Sequence, residues 1–137
     1  MIYDKLLYLS QSQTLTATAE STYYVDLGVA GRDVGPGEQL YVVVCIPVEL
    51  DSSGEAATLT IALQTDAATT FDTGPTTLLS TRAYTEATLT AGRAPIVIPI
   101  PLGDAERYVR LYYTVGTEDF TTGKVDAFIA TGVQTNL

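Results

Sequence analysis

Residues 107–116 read RYVRLYYTVG, a run with two arginines and three tyrosines set among strand-forming residues. Side chains alternate faces along a strand, so positions two apart lie together. Val109, Leu111, Tyr113 and Val115 fall on one side and Tyr108, Arg110, Tyr112 and Thr114 on the other. The first set is a core face. The second suits either a solvated outer face or an interface, because arginine beside tyrosine stacks well and both are enriched at interface centres.

The same period recurs along the chain. Segments alternating every second residue, rich in threonine and in β-branched and aromatic residues, are separated by turn-forming stretches, and no segment of helical length carries a 3.6-residue period. The pattern predicts an all-β domain with strands near 2–9, 13–18, 22–27, 39–48, 57–65, 76–80, 84–90, 95–101, 107–115 and 124–131. Between them lie GVAGRDVGPGE, ELDSSGE, TDAATTFDTGP, TAGRAP, LGDAE and GTEDFTTG. With no linker dividing its 137 residues, the chain reads as one domain. Its many short strands favour an antiparallel β-sandwich of jelly-roll type over an immunoglobulin-like one, whose Cys, Trp, Cys pattern is missing from a chain without tryptophan.

Two strands carry more information. In PIVIPIPL, Pro95, Pro99 and Pro101 share one parity and Ile96, Ile98, Ile100 and Leu102 the other. The missing N–H groups then lie along one side, which predicts an edge strand blunted against sheet extension with its isoleucines in the core. In QLYVVVCIPV both parities are apolar: Leu40, Val42, Val44, Ile46 and Val48 on one, Tyr41, Val43, Cys45 and Pro47 on the other. In a sandwich only one face meets the opposite sheet, so an arm, a loop or another subunit is expected over the second.

Composition narrows the chemistry. The net charge of −9 opposes binding to phosphate backbones. There is no histidine, which removes Ser–His–Asp and Cys–His catalysis and any histidine metal ligand. Cys45, the single cysteine, has no internal partner and sits in an apolar run as a small buried hydrophobe. Glu49, Asp51, Glu55, Asp66 and Asp72 could supply paired carboxylates, but nothing in the spacing brings two together, and solvated loop acids are the simpler account. ELDSSGE lacks the ligand ladder of a calcium loop, and GVAGRDVGPG lacks the lysine and following hydroxyl residue of a phosphate loop. No enzyme activity, cofactor or metal is expected. MIYDKLLYLSQSQ does not have the form of a signal peptide, and the longest apolar run, residues 40–48, is too short for a membrane helix, so a cytoplasmic site of synthesis is expected.

Taken in order, MIYDKLLYLSQSQTLTATAEST, VDLGVAGRDVGPGEQLYVVV, ATLTIALQTD and ERYVRLYYTVGTEDFTTGKVDAFIA give the chain an end-to-end likeness. It resembles the capsid cement, or decoration, proteins of short-tailed bacteriophages, the small jelly-roll family associated with a Bordetella phage. The resemblance implies a non-enzymatic virion protein on the capsid exterior that clamps neighbouring capsomers of the major capsid protein, touching neither nucleic acid nor membrane. Self-association is expected, as a dimer or else a trimer. The expected interaction residues are Tyr108, Arg110 and Tyr112, Arg32 and Asp33 in the glycine-rich loop, and Tyr41 and Val43 on the second face of the 39–48 strand. A carbohydrate-binding sandwich, with exposed tyrosines such as Tyr23 and Tyr24 stacking on sugar rings, is the alternative.

Overall fold

The computed structural model describes residues 4–28, 38–101 and 105–133. Ten strands are present among the described residues: β1 (Tyr8–Thr14), β2 (Ala19–Glu20), β3 (Val25–Asp26), β4 (Tyr41–Ser52), β5 (Thr58–Asp66), β6 (Thr76–Ser80), β7 (Tyr84–Thr85), β8 (Ile96–Pro99), β9 (Tyr108–Gly116) and β10 (Phe120–Ala130). The only helical pieces among the described residues are two single 3-10 turns, Lys5–Leu7 and Glu86–Thr88. No helix is long and apolar enough to cross a membrane.

The strands form two antiparallel sheets, one in the order β1-β10-β4-β8 and the other β2-β9-β5-β6, with β3 also on β9 and β7 also on β5. When β2 with β3, and β6 with β7, are each taken as one interrupted strand, eight remain. The first pairs the last, the second the seventh, the third the sixth, and the fourth the fifth. That is a long hairpin rolled onto itself, the jelly roll. Its core is the alternate residues of both sheets, including Leu9, Val42, Val44, Ile46, Leu59, Ile61, Leu63, Val109, Leu111, Tyr113, Val125 and Ala127. Tyr113 is fully buried because its hydroxyl reaches Ser10 Oγ at 2.8 Å, and desolvation drives its pKa upward.

β8 lies at the edge of its sheet, as its prolines predict. Ile96, Ile98 and Ile100 are buried, and the Ile100 amide donates inward to Leu40 at 2.9 Å. The other parity, with Pro95, Pro99 and Pro101, therefore turns its backbone away from β4.

Several boundaries differ from expectation. Instead of strands at 2–9 and 13–18 there is one, β1, preceded by a 3-10 turn. Asp4 holds that turn by accepting the Leu6 amide on Oδ1 at 2.9 Å and the Leu7 amide on its carbonyl at 3.0 Å. The segment expected at 22–27 shortens to the two-residue β3, with β2 lying ahead of it at 19–20, and that at 84–90 yields to a turn at Glu86. The stretch GTEDFTTG closes sooner than expected, so β10 begins at Phe120. Val48, expected in the core, is 43 % exposed. Between Cys45 and Val48 β4 advances three residues while β10 advances two, from Asp126 to Lys124, and it does so again between Val48 and Asp51, so Val48 sits between two bulges and faces outward before Leu50 resumes the inward parity. Further along β10, Gly123 has φ 142, and an added Cβ would lie 2.2 Å from Leu50 Cδ2 and 2.9 Å from Leu50 Cα, so only glycine fits there.

The second face of β4 is covered within the chain at its centre. Val43 is fully buried and Phe128 nearly so, yet neither belongs to the main core. Phe128 pairs with Val43 across the strands and takes the Tyr8 ring edge-on at 5.9 Å. Tyr41 and Cys45 to either side are half-buried.

Candidate functional site: an aromatic and cationic face beside an open groove

Pairing of β9 with β5 along its whole length, Thr58 against Gly116 through Asp66 against Tyr108, holds residues 108–116 in regular extended form. Tyr108, Arg110, Tyr112 and Thr114 accordingly share the outer face of the second sheet. Arg110 is not free there. Only about a tenth of its side chain is exposed; it pairs with Glu20, donates from Nε to Gln64 Oε1 at 3.0 Å, and lies 4.2 Å from the Phe71 ring centre and 5.8 Å from that of Tyr112.

Phe71 comes from the 67–75 loop, which folds back across the sheet. Asp66, itself buried, organises that loop by accepting the Ala68 amide at 2.8 Å and lying within 3.5 Å of Thr73 Oγ1. Phe71 takes a φ of 53, costly for a residue with a side chain, and is nevertheless 5 % exposed. The contacts with Arg110 and with Tyr24, whose ring centre is 6.4 Å away, hold it there. Tyr24 also meets Tyr108 edge to face at 5.5 Å, and Arg107 lies 5.0 Å over the Tyr108 ring while pairing in two-pronged fashion with Asp26 at 2.9 and 3.0 Å. That pair lowers the Asp26 carboxyl pKa through its hydrogen bond from Arg107. The result is a continuous run of rings and guanidinium groups from Arg107 to Tyr112.

At the flank of this run lies a groove of about 540 Å³ lined by Lys5, Leu6, Tyr8, Gln11, Tyr23 and Tyr24. Leu6 is 81 % exposed, Tyr23 48 % and Tyr24 47 %. A single 3-10 turn sends adjacent residues in different directions, so Leu7 packs on the core while Leu6 projects outward. Tyr23 is held at its backbone, donating its amide to Leu9 at 2.9 Å and accepting Ser21 Oγ on its carbonyl at 2.8 Å, and Tyr24 at its ring, which meets Phe71 and Tyr108.

At one end of the sandwich a pocket of about 240 Å³ gathers Glu49, Asp51, Glu55 and Glu86. A hydrogen bond with Glu86 raises the Asp51 pKa, while the hydrogen bond with Ser52 lowers that of Glu86. Glu118 lies 2.6 Å from the same hydroxyl, also accepts the Ala56 amide at 2.9 Å, and is lowered in pKa by these bonds. Two carboxyl groups that share a hydrogen bond are closer than the ~5 Å or more by which glycosidase carboxylates are separated. Among the described residues no group of three or more acidic or cysteine side chains is arranged to hold a metal ion.

Of the residues singled out from sequence, Tyr108, Arg110 and Tyr112 are brought together; Tyr41 and Val43 lie on the opposite sheet, Val43 without exposed surface. Arg32 and Asp33 lie outside the described residues. Sequence reasoning missed Phe71, a lone aromatic in a polar loop, and Leu6, whose outward direction depends on the Asp4 cap. It also missed the approach of Glu86 to Asp51 and the meeting of Glu86 and Glu118 at Ser52, which depend on long-range pairing.

No curated protein is significantly similar to the chain. The Bbp16 family model matches residues 9–129, a span running from β1 to β10 and covering both sheets. The chain belongs to the Bbp16 family, a family of Bordetella phage proteins.

Proposed function

We propose that this is a structural virion protein that attaches to the outside of a phage capsid and cements neighbouring capsomers of the major capsid protein. Membership of a phage protein family is the observation that carries this reading. The molecule suits the role. It is a two-sheet sandwich with one sheet edge blunted by prolines, and its outer face carries a run of partnered rings and guanidinium groups. The proposed role is non-catalytic, and the hydrogen bond between Asp51 and Glu86 brings that pair closer than the ~5 Å or more that separates glycosidase carboxylates.

Contacts are assigned to the aromatic face around Tyr108 and Tyr112 and to the surface beside Tyr41, with Arg110 ordering the face from behind. The protein acts as a dimer, or failing that a trimer, so that each assembly grips the shell at more than one point. Release then requires every contact to open together, which raises retention by roughly a hundredfold or more over a single contact.

Shells stripped of the protein are expected to break at lower temperature or milder osmotic shock than coated shells, and adding it back restores their resistance. Equal breakage of stripped and restored shells rejects the role. A carbohydrate-binding reading has the exposed tyrosines of the groove in its favour; binding on a glycan array together with failure to coat shells selects it.

A further inference from the structure

We infer that the Leu6–Tyr23–Tyr24 groove is the seat for an extended polypeptide segment of the shell, one that inserts an apolar side chain and sets a carboxylate against Lys5. The inference rests on the cementing role and adds a contact beside the Tyr108–Tyr112 face.

Preorganisation is the first argument. Leu6 is 81 % exposed on a turn fixed by two bonds to Asp4, and Tyr23 and Tyr24 stand half in water on a backbone tied to β1 through Leu9. An apolar surface held open has already met the ordering cost that an interface otherwise imposes on binding. Its volume of about 540 Å³ takes one or two side chains.

Charge supplies the second argument. In a chain of net charge −9, the one charged side chain among the described residues lining this groove is a cation, Lys5. The ion pairs among the described residues engage Arg107 and Arg110, and Lys5 pairs with no described carboxylate. An occupant bearing a carboxylate gains at Lys5, whereas over the acidic remainder of the surface it is repelled. The walls are chiefly leucine and tyrosine, with Gln11 as the one amide. A sugar, which needs several convergent hydrogen-bonding groups, is served less well than an apolar side chain with an acidic neighbour.

The test compares wild type, Leu6→Asp and Lys5→Glu in re-coating stripped shells, alongside melting and sedimentation of each free protein. Both residues are exposed, so melting should be unchanged. Leu6→Asp is expected to weaken coating at least about tenfold, as loss of a buried anchor does. Lys5→Glu is expected to weaken it as well and to reduce its salt dependence. If wild type coats and both variants coat equally well, the groove is not the contact, while the cementing role stands. If wild type itself does not coat, the role fails and this inference falls with it. A change in the sedimentation of free Leu6→Asp identifies a second copy as the occupant, and loss of a glycan-array signal identifies a sugar; either overturns the assignment.

Discussion

Arg107 and Arg110 differ by three positions and have opposite energetic weight. Arg107 and Asp26 make a well-aligned pair, but their side chains are 46 % and 42 % exposed, and water competes for both charges. Arg110 is mostly buried, and its charge is matched by Glu20, Gln64 and the Phe71 ring. Arg110→Ala should destabilise the protein by about 1–3 kcal/mol, from the lost cation–π contact and the polar groups left unpaired. Arg107→Ala should barely move the melting temperature. Equal shifts for the two variants would contradict this ordering. Asp51 offers a residue-scale test of sign. Its pKa is raised in the folded state, so the folded protein binds that proton more tightly and stability is lost as pH rises through the raised value. Glu86 and Glu118 run the other way: with lowered pKa values, their contribution is present above the ordinary carboxylate range and is lost as pH falls through the lowered values. Asp51→Asn removes one of two neighbouring charges while keeping a group able to donate to Glu86. The variant should therefore melt higher than wild type at about pH 7 and no higher at about pH 3, where Asp51 is already protonated. A gain that persists unchanged in acid would mean that packing, not charge, is responsible.

At the level of elements, the two sheets end differently. β8 carries three of the chain's six prolines in and beside it, all on the parity facing away from β4. Without N–H groups at 95, 99 and 101 that edge cannot pair with a neighbouring strand in register. Replacing Pro95, Pro99 and Pro101 together by threonine should restore the donors while leaving the inward isoleucines untouched. Concentration-dependent association beyond the wild-type species is the expected result in sedimentation or light scattering; a variant that stays at the wild-type size removes the prolines as the block. This edge was legible because both of its signals, proline parity and isoleucine parity, are local. The jelly roll was legible for a similar reason, since the alternation of 107–115 and 57–65 survives pairing intact. Boundaries failed where non-local contacts intervene. The bulge that turns Val48 outward is set by the register against β10, and the Glu86 turn replaces a strand although YTEATL alternates passably. The Tyr108–Arg110–Tyr112 stripe could be read from period alone, but its function could not. Whether Arg110 meets a partner or its own chain depends on Phe71, which is 39 residues away in sequence (110 − 71) and arrives through a loop.

Across the whole molecule, 16 acidic residues face 7 basic ones, and of those cations Arg110 is buried against its own sheet while Arg107 is paired. The field seen from a distance is therefore negative, and it does two things. It opposes association beyond the proposed dimer or trimer, complementing the blunted edge, and on the proposed cementing role it would draw the protein toward a shell surface offering basic groups and away from phosphate backbones. Steering of this kind acts on the rate of encounter more than on the rate of release, because long-range attraction is screened before the short-range contacts form. The Debye length falls from about 10 Å at 0.1 M salt to about 3 Å at 1 M, so attachment to stripped shells should slow several-fold over that range. If the proposed groove contact holds the protein on the shell, release depends on apolar contacts and on the number made at once, and should change much less. Time-resolved binding to immobilised shells at graded salt separates the two rates. If attachment is indifferent to salt, the acidic surface serves only to keep copies apart; if release accelerates in step with the slowing of attachment, the contacts themselves are ionic, and the apolar groove is not what holds the protein on the shell.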